Sequence, residues 1–124
     1  MSRTLHGVLS PTRIEALRRS LGPAVLADLL DAFLDSLAAQ GPALVRALAD
    51  GDAAAVAANA QPLSGTAADL GAGPLAWGCR RLAAEPPREA MPSSLLLQLR
   101  QLLAETAWAA EQARRDLRPR PLAA

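Results

Sequence analysis

The chain has 124 residues, 51% of them hydrophobic, and a formal net charge of +1. This length fits one domain, and the apolar content is sufficient for a core without disulfides or metal. Charges of both signs are scattered and aromatic residues make up only 2%, so nothing indicates a basic nucleic-acid-binding surface with stacking aromatics. No apolar run approaches the roughly 20 residues that a membrane span needs.

The apolar residues are mainly alanine and leucine, with one phenylalanine, two tryptophans and no tyrosine. Alanine and leucine are strong helix formers, whereas the β-branched residues that favour strands are scarce, so the composition predicts an all-α fold. The 13 basic residues are all arginine, which indicates a GC-rich bacterial genome. The single cysteine, Cys79, excludes an internal disulfide and favours a reducing compartment. Because residues 1–7 lack a signal-peptide pattern, we expect a cytoplasmic protein.

A short first helix is predicted after an N-terminal tail of residues 1–9. Ser10 is a typical N-cap residue, and Pro11 suits the first helical position. Gly22 is expected to end the helix. The apolar stripe of this helix comprises Ile14, Leu17 and Leu21.

The second helix is predicted to be long, covering residues 23–50. Apolar residues recur along it at helical spacing, namely Leu26, Leu30, Phe33, Leu37, Leu44 and Leu48. Pro42 interrupts the sequence without changing the phase of this stripe. We therefore expect one helix kinked near Pro42, with two helices separated by a tight break as the alternative. Gly51 should close this helix, and Asp52 should cap the next one.

The third helix, residues 53–70, has a core seam with alternating steps of four and three residues. The seam consists of Val56, Ala60, Leu63, Ala67 and Leu70. Residues 71–74 form a sharp turn into a fourth helix, which should end at Glu85 because two prolines follow. The inward positions of this fourth helix are Leu75, Cys79 and Leu82.

The last helix should be capped by Ser93 or Ser94 and run to about Asp116. Its inward positions are Leu96, Leu99, Leu103, Thr106 or Ala107, and Ala110. Residues 117–124, with two prolines, form a C-terminal tail. Because short loops between long helices favour antiparallel neighbours, the sequence predicts an antiparallel four-helix bundle over residues 10–116, with a short extra N-terminal helix.

The third and fourth helices resemble the signature of histidine-phosphotransfer (HPt) domains. In that family a helix reads Ala-His-x-Leu-Lys-Gly and continues through small residues to Leu-Gly-Ala, and the next helix carries leucine, cysteine and an arginine-leucine pair. The matching residues here are Ala60, Leu63, Gly65, Leu70, Gly71, Ala72, Leu75, Cys79, Arg81 and Leu82, with Phe33 and Leu34 upstream. The resemblance covers about residues 10–115 and implies a helical bundle that takes part in a two-component phosphorelay.

Three positions depart from the family pattern. The resemblance places Gln61 at the phosphorylated histidine, Ser64 at the lysine, and Pro62 between them. An imidazole accepts a phosphoryl group because one ring nitrogen has a free lone pair near neutral pH. The lone pair of the Gln61 amide nitrogen is delocalised into its carbonyl, and a serine nucleophile needs a nearby base. We therefore expect no phosphotransfer chemistry, no catalytic residue, no cofactor and no metal.

Helical geometry places Gln61 on an outward stripe opposite the Leu63 seam. The stripe comprises Ala57, Gln61, Ser64, Gly65 and Ala68. In the HPt family small residues beside the histidine let a receiver domain approach closely, so the resemblance implies a docking face, with an ordinary alanine-rich solvent face as the alternative. Pro62 removes one helical hydrogen bond and its ring clashes with the carbonyl of Ala58, which predicts a kink or a local opening there.

Other chemistry-bearing residues have ordinary structural interpretations. The only histidine, His6, lies in the N-terminal tail and is expected to be a solvated residue. Cys79 is expected to be a small core residue. Trp77 and Trp108 are interpreted as packing or partly exposed aromatics, with an outward partner anchor as the alternative for Trp77. Three acidic residues share a region of the second helix, namely Asp28, Asp31 and Asp35. A solvated face explains them better than a metal site does.

The favoured hypothesis is a non-catalytic HPt-like module that docks a receiver domain or a histidine kinase and modulates signalling. One alternative is a phosphocarrier that uses a residue other than histidine. The other is a helical assembly module outside phosphorelay signalling, of which a kinase-like dimerisation bundle is a variant. Neither nucleic acid nor membrane is an expected partner. The oligomeric state stays open, with a monomer favoured.

Overall fold

The computed structural model describes residues 7–117, in which five complete helices follow one another and no strand occurs. The helices are α1 (Pro11–Leu21), α2 (Pro23–Asp50), α3 (Ala53–Asp69), α4 (Gly73–Ala84) and α5 (Ser93–Asp116). The all-α prediction is confirmed. Within the described part of the chain, no helix combines the length and the apolar character that a bilayer crossing requires.

Most of the helix ends form as the local sequence predicts. The Ser10 hydroxyl accepts a hydrogen bond from the Arg13 backbone N–H at 3.2 Å, and the Asp52 carboxylate accepts one from the Ala55 N–H at 3.1 Å. Gly51 ends α2 in the left-handed conformation, with φ 68°. Each of these groups satisfies a helix end from within four residues of sequence, which is why the sequence alone located them.

The start of α5 differs from its prediction. The helix begins at Ser93 itself, Pro92 occupies the N-cap position, and no side chain caps the end, so the expected serine cap is wrong. The Pro92 backbone is extended, with ψ 149°, and its carbonyl accepts from the N–H groups of Leu95 and Leu96, both at 3.1 Å. Both serines therefore lie inside the helix.

The long second helix is continuous. A single helix, α2, passes through Pro42, so the alternative of two separate helices is wrong, while the kink stays a prediction. It packs against both α3 and α5, and α3 packs extensively against α4. Two contacts show that α2 and α5 run antiparallel: Arg114 Nε donates to Asp31 Oδ1 at 3.0 Å, and Leu103 lies against Gly41.

The core extends further toward the N-terminus than the sequence indicates. Val8 and Leu9, which were assigned to the tail, are buried among the core residues. The Ser10 N–H donates to the Gly71 carbonyl at 2.9 Å, and this contact fixes the segment against the end of α3. Residues 1–6, which include His6, and residues 118–124 lie outside the described residues, so the interpretations given for them stay predictions.

Candidate docking site

The third helix has one fully buried face and one exposed face. Its seam residues are each 0% exposed, namely Val56, Ala60, Leu63 and Ala67, which confirms the predicted core seam. The opposite side of the helix is open to solvent. We term this the α3 face; its exposed residues are Ala54, Ala58, Gln61, Pro62, Gly65, Ala68 and Asp69.

The α3 face is rotated relative to the stripe that the sequence predicts. Gln61, Gly65 and Ala68 are exposed as expected, whereas Ala57 and Ser64 are half-buried. Thr66, on one flank of α3, shares a groove with residues of α1 and α2. Ala57 and Ser64 project from the other flank, and α3 packs extensively against α4. The helical repeat of α3 alone could not predict that one of its flanks is more buried than the other.

The helix continues through Pro62 without interruption. The local opening expected there is therefore absent, while a kink stays a prediction. The Ser64 hydroxyl donates to the Gln61 carbonyl at 2.8 Å, and the Thr66 hydroxyl donates to the Pro62 carbonyl at 3.2 Å. Both hydroxyl groups therefore donate to backbone carbonyls of their own helix.

The Leu-Gly-Ala sequence at the end of α3 has a structural cause. Leu70 is 3% exposed and Ala72 is 0% exposed, so both side chains belong to the core. Gly71 between them has φ 81°, a left-handed backbone conformation that residues other than glycine rarely adopt. The Ala72 N–H then donates back to the Ala67 carbonyl at 2.8 Å, which closes the helix.

The first helix holds this end of α3 in place. Arg13 Nε donates to the Asp69 carbonyl at 3.0 Å, in addition to the backbone bond from Ser10 to Gly71. The contact is so close that a Cβ atom at Gly71 would lie 2.8 Å from the Cβ of Arg13. The orientation of the α3 face thus depends on α1 as well as on the core.

The groove that Thr66 lines has a volume of about 300 Å³ and opens between α1, α2 and α3 beside the α3 face. Thr66 and Asp69 of α3 contribute to its wall, and Leu29 of α2, which is 41% exposed, lines the opposite side. Leu29 was not among the surface residues that the sequence predicted. The available signal was its phase, because Leu29 falls outside the core stripe that Leu26 and Leu30 define.

The α3 face carries almost no charge. The sequence of α3 contains no basic residue, and its only acidic residue is Asp69. Asp69 is eight residues from Gln61, which corresponds to about 12 Å along the helix. A phosphoryl group at position 61 would therefore meet no cationic side chain from its own helix.

The shifted pKa values belong to residues outside the α3 face. A hydrogen bond from Arg18 lowers the pKa of Glu15 to about 2. Burial raises the pKa of the Cys79 thiol to about 11, and Cys79 is only 1% exposed. Cys79 is thus an inert core residue, as the sequence predicts.

The remaining candidates are surface residues. Trp77 points outward at 61% exposure, and the Arg81 guanidinium carbon lies 4.8 Å from the centroid of its ring. The three acidic residues in the first half of α2 are exposed, namely Asp28, Asp31 and Asp35. The described residues contain no group of three potential metal ligands among His, Cys, Asp and Glu.

The family model of the Hpt domain matches residues 28–107, from the first turns of α2 into α5. The chain belongs to the Hpt domain family. Hpt domains are phosphotransfer modules of phosphorelay signalling, and the family relation places this Hpt domain in that context. No curated protein and no solved structure matches the chain significantly. The matched residues contain no histidine at all, since His6 is the only one in the chain.

Proposed function

We propose that this Hpt domain is a docking module that has no phosphotransfer chemistry of its own. In this proposal α2 to α5 form the antiparallel four-helix bundle, and the α3 face binds a receiver domain or a histidine kinase of a bacterial phosphorelay in the cytoplasm. Binding competes with or tunes transfer between other components. The observation that carries the proposal is an open α3 face with Gln61 at its centre and no nucleophile on it.

The chemistry of the α3 face supports the absence of transfer. The Gln61 amide has no free lone pair on nitrogen, and the Ser64 hydroxyl donates to the backbone rather than to a base. Transfer also needs positive charge near the phosphoryl oxygens, and α3 provides none. Helix α3 therefore provides neither the nucleophile nor the neutralising cation.

The shape of the α3 face supports docking. A Cβ atom at Gly65 would have no neighbour within 4 Å, and Ala58 and Ala68 are also small and exposed. A partner loop can therefore approach the helix backbone closely around Gln61. The exposed Leu29 in the adjoining groove adds an apolar contact. The centres of protein interfaces are depleted of charged residues, so an apolar side chain suits such a surface.

Replacing Gly65 with arginine should weaken binding to the cognate receiver or kinase at least about tenfold, which corresponds to about 1.4 kcal/mol. The long side chain would project from the centre of the α3 face and keep a partner away. Binding of purified receiver domains and kinases of the source organism, measured by isothermal titration calorimetry, tests this expectation.

Gln98→Arg is the matched control for this variant, because Gln98 is exposed on α5 and the principal packing partner of α5 is α2. We expect the control to bind like the unchanged chain. Equal binding by Gly65→Arg and the unchanged chain would favour a helical assembly module that uses another surface. No binding to any receiver or kinase would exclude docking altogether.

Incubation with a phosphorylated receiver should leave the unchanged chain unlabelled, because it offers no nucleophile on α3. The Gln61→His/Ser64→Lys double variant should acquire an acid-labile label, since it restores both an imidazole and a cation to a face that still docks. Radiolabelled phosphate followed by gel electrophoresis measures both. A label on residues 28–107 of the unchanged chain would instead establish a phosphocarrier that uses a residue other than histidine.

A further inference from the structure

A largely apolar groove of about 680 Å³ runs between α2 and α5, the two longest helices. Its walls include Leu34, Leu37, Gly41, Val45, Leu103 and Ala107. Gly41 lies beside Leu103 of α5, since a Cβ atom at this position would be in ordinary van der Waals contact with Leu103 Cδ1, at 3.5 Å. No described segment of the chain fills the groove, and it is formed by different helices from the α3 face.

The charges of this groove are separated along its length. Arg46 of α2 and Arg100 of α5 line it together with Glu111 of α5. Because α2 and α5 run antiparallel with Gly41 beside Leu103, both arginines lie at the same end. Glu111 lies eight residues beyond Leu103, about 12 Å toward the other end. The groove thus has a basic end and an acidic end.

Two large apolar side chains flank the same groove on α5. Leu97 is 65% exposed and Trp108 is 51% exposed. On a helix, Leu97 and Trp108 project within about 40° of Ala104, which lines the groove. The groove and these two side chains therefore form one continuous apolar surface, and a surface of this kind indicates a protein interface.

We propose that a second copy of this chain covers the groove and that the domain forms a two-fold symmetric dimer through α2 and α5. A two-fold axis perpendicular to the helices, crossing α5 midway between Arg100 and Glu111, sets the basic end of one copy against the acidic end of the other. Arg100 of each copy then faces Glu111 of the other copy. A surface with opposite charges at its two ends is complementary to itself in this orientation.

The area of the surface between α2 and α5 is small for a protein interface. The groove spans Leu34 to Ala49 on α2, a length of about 22 Å, and it is two helices wide, about 20 Å. The two faces together measure about 900 Å², which is the size of weak, transient interfaces, so we expect a dimer that dissociates in the micromolar range or more weakly. The proposal is independent of the phosphorelay role, and the dimer leaves both α3 faces free.

Sedimentation equilibrium of the full chain, from about 10 µM to about 0.5 mM, tests the proposal. Arg100→Glu and Glu111→Arg should each weaken the dimer at least about tenfold, because each sets like charges against each other. The double variant should recover to within about threefold of the unchanged chain, since the pair is restored with its signs exchanged.

Arg80→Glu is the control, because it makes the same charge change on the exposed surface of α4, and its dimer should match that of the unchanged chain. Arg100 and Glu111 are both exposed, so their variants should fold, which circular dichroism verifies. A monomer at every concentration would overturn the proposal and leave the groove to another protein or to residues outside the described range. A dimer whose dissociation constant ignores both single reversals, or a double variant as weak as the singles, would also overturn it.

Discussion

Replacing Gly71 with alanine should lower the free energy of unfolding by about 2–4 kcal/mol. Gly71 has φ 81°, and a residue with a side chain loses about 1–2 kcal/mol in that conformation. Its new Cβ atom would also lie 2.8 Å from Arg13 Cβ and 2.9 Å from Arg13 Cγ. To relieve this clash α1 must shift, which strains the hydrogen bond from Arg13 to the Asp69 carbonyl.

Gly65→Ala is the matched control, because it makes the same chemical change six residues earlier on α3. The Cβ position at Gly65 is open and the residue is helical, so alanine should raise the free energy of unfolding by about 0.5–1 kcal/mol. Urea unfolding followed by circular dichroism measures both variants. Equal effects of the two substitutions would contradict the close packing of α1 against the end of α3.

Replacing Leu63 with alanine should lower the free energy of unfolding by about 2–5 kcal/mol. Leu63 is 0% exposed and belongs to the core cluster, directly beneath the α3 face. Truncation removes apolar contacts and leaves a cavity that α2 and α4 can fill only in part. Chemical denaturation, with the slope checked for two-state behaviour, gives the change.

The control for Leu63 is Gln61→Ala, two residues away on the opposite side of the same helix. Gln61 is exposed, and its side chain forms no hydrogen bond within the described residues, so the stability change should stay within about 0.5 kcal/mol. A large loss in Gln61→Ala, or a small one in Leu63→Ala, would mean that α3 presents the other side to the core. The pair therefore tests the orientation on which the docking proposal depends.

The position and type of every described helix follow from short-range features of the sequence. Proline at the first turn, a side-chain cap such as Asp52, and glycine at a left-handed end such as Gly51 act within four residues, so the sequence alone locates them. The α3 seam also follows from sequence, because the helical repeat fixes which residues share a side. The same order of residues carried the Hpt family resemblance and placed Gln61 at its centre.

Features that depend on packing between distant segments required the tertiary structure. Ser64 is half-buried although helical geometry alone placed it on the exposed stripe, and no pattern within α3 indicates how the neighbouring helices pack against it. Val8 and Leu9 are buried because the N-terminal segment packs against the end of α3 some sixty residues later in the chain.

The groove between α2 and α5 is another feature that only the tertiary structure decided. Gly41 and Leu103 meet across it. The antiparallel register of the two helices places Arg46 and Arg100 at one end of the groove and Glu111 at the other. The sequence by itself thus determined the helices, the core seam and the absence of histidine from residues 28–107. The tertiary structure decided which surfaces stay open, because exposure depends on how segments far apart in sequence pack against one another.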